Sequence, residues 1–198
     1  MENITLPHLL EHPLQVCLFR NVENATFLRQ QLLDGNTKFE YAFLDASVLL
    51  SRKHVLAACF RAINDMLNDR LKSRNVHSEI VFSLSPNNNV RASTPSDANR
   101  ETDVTQISES FRRFGITNES INVLAIKVGG DAAQIESHLT ANVKGQPAVF
   151  SDEVLAEVCD LSRIKKIYRV DVGTKSDGEA ARKEAEAFVL GSMALKGS

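Results

Sequence analysis

The sequence predicts an α/β fold in the broad, α+β sense: a single domain over residues 1–198, with a small mixed or antiparallel sheet packed with several helices. Three observations predict it. Short apolar runs of strand length occur at 15–19, 41–44, 80–84 and 123–128. Between and after them lie segments whose apolar residues recur every three or four positions, the spacing of a helix with one buried side. The chain of 198 residues, 43% hydrophobic and 24% charged, is long enough for one real core.

In chain order, 15–19 is the first strand. Asn24 then caps a helix through its side chain, with Ala25, Leu28 and Leu32 at helical spacing and Gly35 as the left-handed stop. Residues 41–44 form the second strand. Ser51 caps the next helix, on which Val55, Leu56, Cys59, Ala62, Ile63, Met66 and Leu67 make a one-sided stripe. Residues 80–84 read as a third strand, emptying into Ser85-Pro86-Asn87-Asn88-Asn89. Residues 110–116 read as a short basic helix closed by Gly115. Between them, 91–106 holds one strong hydrophobe, too little apolar area to offset the entropy of ordering, so a disordered insertion is expected. Residues 123–128 form another strand, and Gly129-Gly130-Asp131 is a plain turn into a helix carrying Ile135 and Leu139. Helices follow from about Asp152 and over 162–168. The last runs from about Gly178, with Ala181, Ala185, Phe188, Val189 and Met193 on one side.

Composition excludes several function classes. The net charge is -2, from 23 basic and 25 acidic residues, whereas duplex nucleic-acid binders usually carry a basic excess. Any nucleic-acid contact is therefore expected to be small and local. Cys17, Cys59 and Cys159 stand far apart among apolar neighbours, an odd count without metal-ligand spacing, and read as buried thiols in a reducing compartment. No apolar run reaches the roughly 20 residues a bilayer requires, and no basic segment precedes an apolar stretch at the start. No membrane association is expected, and the compartment reads as cytoplasmic, nuclear or both. His12, His54, His77 and His138 lack metal-site spacing, and no phosphate-binding or nucleophile motif is present. No cofactor and no metal is expected.

Residues 71–115 carry the functional signal. Arg70, Lys72 and Arg74 place cations on alternate positions, and Arg112 and Arg113 place two more near a glycine. The five suit phosphate contacts. They equally suit solvated charge at helix ends. Ser85, Asn87 and Asn88 lie in a loop that offers amides and a hydroxyl to unpaired bases, or simply forms a turn. Phe111 and Phe114 are expected to pack inward, which leaves stacking on RNA to Tyr41 or Phe39 if to any residue. Ile164, Ile167 and Tyr168 form an i, i+3, i+4 set that is either core or a protein-binding face, and the last helix has the same ambiguity.

Several stretches together resemble the PRPK-binding protein (TPRKB) family, a small subunit of the KEOPS/EKC complex. They are Lys72-Ser73-Arg74, then 78–89, Phe111-Arg112-Arg113-Phe114-Gly115-Ile116, Val143-Lys144-Gly145 and Ile164-Lys165-Lys166-Ile167-Tyr168, in the family's order. One departure is the insertion at 91–106, where the family passes almost directly from the Asn run to the basic helix. The resemblance implies a non-enzymatic subunit that grips a PRPK-type atypical kinase/ATPase and helps hold tRNA by its single-stranded acceptor end. That complex makes threonylcarbamoyladenosine, and its other subunits would be met indirectly. Lys72, Arg74, Ser85, Asn87, Asn88, Arg112 and Arg113 are the expected RNA contacts. Ile164, Ile167, Tyr168, Phe188, Leu190 and Met193 are the expected partner contacts. The alternative function class is a free-standing small enzyme of unrecognised chemistry, against which the lack of a base, nucleophile and oxyanion set counts.

Overall fold

The computed structural model describes residues 1–86, 98–170 and 179–195. An open antiparallel sheet runs through the middle. Its strands are β1 (Glu2–Ile4), β2 (Leu14–Arg20), β3 (Ala42–Asp45), β4 (Val123–Val128) and β5 (Gln146–Ala148). The order is β1-β2-β4-β3, and β5 joins β1 along the same side of β2, pairing Leu18 to Arg20 where β1 pairs Leu14 to Val16. β3 is therefore an outer strand.

Alternation along the strands divides the interior. Val16 and Leu18 point to one face with Leu44, Leu124 and Ile126, while Cys17 and Phe19 point to the other with Phe43, Val123 and Ala125. The second face is covered by α1 (Ala25–Leu33) and α5 (Ala132–Asn142), through Leu28, Ile135 and Leu139. The first carries a thicker layer: α2 (Arg52–Leu67), α3 (Val76–Ser83), α4 (Ala98–Phe114), α6 (Asp152–Val158), α7 (Leu161–Tyr168) and α8 (Glu179–Ala194). Ser51 caps α2 as expected, its hydroxyl accepting from His54 N at 3.2 Å. Gly35, at φ +67, ends the turn after α1.

Three expectations are corrected. Residues 80–84 are not a strand: they are the last turn of α3 and its C-cap, Leu84. Asn75 starts that helix by accepting from Ser78 N at 2.9 Å, and Ile80, Val81, Phe82 and Leu84 are all buried. An apolar run covered on every side has no periodicity to separate helix from strand, and helix capping decided the matter. Asn24 does not cap α1 with its side chain. Its amide instead bridges the end of α5, donating to Asn142 O at 2.8 Å and accepting from Lys144 N at 2.9 Å. The basic helix is longer than read, starting at Ala98. It takes in 98–106 of the segment expected to be an insertion, and 91–97 lies outside the described residues.

Candidate functional site: an arginine-lined cleft

Beside β3 lies a cleft of about 1210 Å³. Its first wall is the end of α1 with the turn Thr37–Phe39; its second is α4 with the loop after it; the start of α3 and Arg163 of α7 complete it. The outer position of β3 makes this possible, because among the described residues only Gly115 and Ile116 return to its exposed edge, Ile116 N donating to Phe43 O at 3.0 Å.

Four arginines converge on the cleft: Arg29, Arg74, Arg112 and Arg163. Each is held by a different device. Arg74 sits on a loop tied down by the buried carboxylate of Glu79, whose Oε2 accepts from Lys72 N at 3.1 Å, Ser73 N at 2.8 Å and Ser73 Oγ at 2.6 Å. Its guanidinium lies over Gly35, where a β-carbon would stand 3.3 Å from Nη1, so a larger residue would displace it. Arg112 pairs with Glu109 through Nε at 2.8 Å and Nη2 at 2.7 Å. That pairing, first through the Arg112 hydrogen bonds, holds the Glu109 carboxyl down at about 2. Arg163 donates to Asp45 Oδ2 at 3.3 Å and Ser47 Oγ at 3.0 Å. Arg29 reaches Asn118 at 3.5 Å, the limit of a hydrogen bond.

Between the cations the lining is mixed: Val81, Phe111, Phe39 and Tyr41 are apolar or aromatic, while Asn36, Glu40, Asn118 and Glu119 are polar or acidic. Tyr41 is backed by Lys127, whose ammonium lies 5.2 Å from the ring centre, and its hydroxyl meets His138 Nδ1 at 3.1 Å. His77 also lines the cleft. Its Nε2 accepts from Val128 N at 3.1 Å, which puts the ring proton on Nδ1. That Nδ1 is buried without a partner among the described residues. Burial, with a smaller push from Lys127, lowers the His77 pKa to about 3, so the ring is a neutral donor. Three carboxylates, Glu40, Asp45 and Glu119, share the lining with the four guanidinium groups, so the chemistry on offer is mixed charge and hydrogen bonding beside apolar and aromatic side chains, with guanidinium groups that suit phosphates and rings that suit flat bases.

Of the expected RNA contacts, Arg74 and Arg112 are brought together here. Lys72 is exposed on the same loop, outside the lining, and Arg113 pairs with Glu109 at 2.7 Å, also outside it. Ser85 is buried, its hydroxyl donating to Phe82 O at 3.0 Å in the turn that ends α3. Asn87 and Asn88 lie outside the described residues. Arg29 and Arg163 escaped the sequence reading because nothing local marks them: their segments meet the cleft only through the fold.

The expected partner contacts divide by burial. Ile164, Tyr168 and Met193 are core residues, and Tyr168 donates to Leu84 O while meeting His54 Nε2 at 2.8 Å. Ile167 and Leu190 are half-buried, and Phe188 is 47% exposed. α8 packs on α2, where Arg61 donates to Met193 O at 2.7 Å and Phe60 is 42% exposed. No helix among the described residues is long and apolar enough to cross a membrane.

The chain matches the family described as kinase binding protein CGI-121 over residues 19–95 and 102–197. It is similar to the EKC/KEOPS complex subunit cgi121 of Aspergillus fumigatus, 46% identical over 203 aligned residues that cover 100% of this chain and 97% of that protein. The corresponding subunit of Aspergillus terreus is 44% identical, covering 100% and 97%. That of Schizosaccharomyces pombe is 32% identical, covering 97% and 98%. With a match over most of its length and relatives aligned end to end, this chain belongs to the CGI-121 family of kinase binding proteins.

Proposed function

We propose that this chain is a non-catalytic subunit of a KEOPS/EKC complex, cytoplasmic, nuclear or both. It binds the kinase-type ATPase subunit and helps recruit tRNA by its single-stranded acceptor end, supporting threonylcarbamoyladenosine formation. The end-to-end kinship with proteins named EKC/KEOPS subunits carries this reading. The cleft supports its RNA arm: four guanidinium groups around aromatic walls suit a short unpaired strand. The α2 and α8 pair supports its protein arm, since Phe60 and Phe188 offer the large apolar anchors on which binding energy concentrates.

Affinity purification of the tagged native complex tests the whole reading; a kinase-type ATPase and tRNA should be recovered. For the RNA arm, two or three phosphate contacts to a single strand give a salt slope of about -1.4 to -2.1. Trimming the unpaired end should abolish binding, and equal affinity for trimmed tRNA would sink the RNA arm. For the protein arm, Phe188→Glu should leave a folded chain that no longer retains the kinase. A folded variant that still retains it places the interface elsewhere.

A further inference from the structure

The cation track does not stop at the cleft. Arg163 of the lining belongs to α7, and that helix carries further cations toward solvent: Lys165, Lys166 and then Arg169 at its C-terminal end, with Ser162 the other exposed residue. Ile164 and Tyr168 bury the opposite side in the core, which fixes the rotation of the helix. Lys166 is exposed one turn beyond Arg163 on the same side, and Arg169 is exposed where the chain leaves the helix in a left-handed conformation, at φ 53. At 1.5 Å of rise per residue, Lys166 stands about 4.5 Å beyond Arg163 along the axis, away from the N-terminus. Within Leu161–Tyr168 there is no acidic residue; in the sequence Asp160 precedes the helix as its cap and Asp171 follows Arg169 by two positions. Lys165, Lys166 and Arg169 make no ion pair among the described residues, unlike Arg112 and Arg113, which share Glu109.

We propose that this face of α7 is a docking surface for a phosphate backbone, specifically the duplex RNA adjoining the unpaired strand in the cleft. The inference rests on the reading that the cleft takes a single-stranded RNA end. Charge complementarity selects the occupant. A chain of net charge -2 that gathers cations without an ion pair among the described residues on the helix that lends Arg163 to an arginine-lined cleft continues a local track for one polyanion. The apolar side of α7 is already used by the core, which leaves its exposed side for electrostatic contact alone. Such contacts set position and salt dependence and carry no sequence preference.

The test uses the full chain carrying Lys166→Gln and Arg169→Asn, which removes both charges and gives the left-handed position a residue that tolerates it. Two probes are compared: a whole tRNA, and a short single-stranded RNA with the same 3′ sequence. Two lost duplex phosphate contacts should make the salt slope for whole tRNA shallower by about 1.8 and weaken its binding, with the single strand bound as by the parent chain. Unchanged tRNA affinity and slope overturn the inference while leaving the cleft reading intact. Failure of the parent chain to bind the single strand overturns the cleft reading itself, and this inference with it. Loss of the kinase partner by the doubly substituted chain, with tRNA binding retained, makes the face a protein interface and overturns the inference. Circular dichroism and melting of the variant confirm that the comparison is made between folded chains.

Discussion

His54 and His77 are both withdrawn from water, and burial lowers the pKa of each to about 3, yet they sit in opposite surroundings. His54, on α2, packs against Phe114 of α4 and Tyr168 of α7 with both nitrogens used. Nδ1 accepts from Leu50 N at 3.2 Å, so the ring proton is on Nε2, facing Tyr168 Oη at 2.8 Å; Tyr168 in turn donates to Leu84 O. His77 stands at the wall of the cleft with one nitrogen used and the other orphaned. Around His54 the helical layer satisfies its polar groups internally, which makes that part scaffold, although Ser83 Oγ on α3 is also buried without a partner among the described residues. The cleft leaves a donor unsatisfied, a cost to stability that a bound ligand accepting from it would offset.

Acid is expected to have the largest effect, and it acts on scaffold and cleft alike. Each histidine is neutral in the folded chain and takes up a proton near pH 6.5 when unfolded. Their stabilisation is therefore complete above about pH 6.5 and is lost as pH falls toward 3. Each contributes a slope of up to about 1.4 kcal/mol per pH unit in that window. Below about pH 4.5 the lowered carboxyls of Glu2 and Glu109 act in the same direction. Urea unfolding at stepped pH measures the slope, and His77→Gln should halve it between pH 6 and 5. A flat stability across that interval would show that neither ring stays neutral.

A pair of tyrosine substitutions sharpens the contrast at smaller cost. Tyr168→Phe strands a buried His54 N–H and the Leu84 carbonyl, and should cost about 1–3 kcal/mol. Tyr41→Phe removes a hydroxyl whose partner, His138, is reached by solvent, and should cost about 0.5–1.5 kcal/mol. Equal losses from the two would contradict the division into satisfied scaffold and open cleft.

The same division explains what was legible in the sequence. Scaffold elements with one buried side announced themselves: the β4 run 123–128 is found as read, and the α2 stripe is buried from Val55 to Ile63, although Leu67, read as its last member, is exposed. α3 was misread because Ile80 to Leu84 is enclosed on all sides, so its apolar residues obey no period. β1 and β5, each of three residues, are too short to carry a pattern. At the cleft, Arg74 and Arg112 were visible as members of local cation clusters. Arg29 and Arg163 were not, since they come from segments 134 positions apart in the numbering, joined only by β3 and its neighbours. The partner face was half legible: periodicity identified apolar stripes on α7 and α8 but could not tell which members, Ile164 and Met193, the core already uses.

The smallest expected effect on stability comes from Glu109, and it bears most directly on the cleft. This carboxylate holds Arg112 through two hydrogen bonds and Arg113 through a third, on the exposed part of α4. Ion pairs in such a setting are screened and contribute little to folding. For a polyanion, however, the carboxylate is a competitor: a phosphate approaching Arg112 must displace it, and its own charge repels the strand. Glu109→Gln keeps the side-chain shape, removes the negative charge and frees Arg112 to turn into the cleft. The melting temperature should barely move, while single-stranded RNA binds more tightly. If Arg112 then gains a phosphate it did not contact before, the salt slope steepens by about 0.7. Measuring affinity at several salt concentrations for the parent and Glu109→Gln chains gives both numbers. Tighter binding with an unchanged slope would mean that the carboxylate acts only by repulsion, and weaker binding would mean that it positions Arg112 for the ligand instead of withholding it.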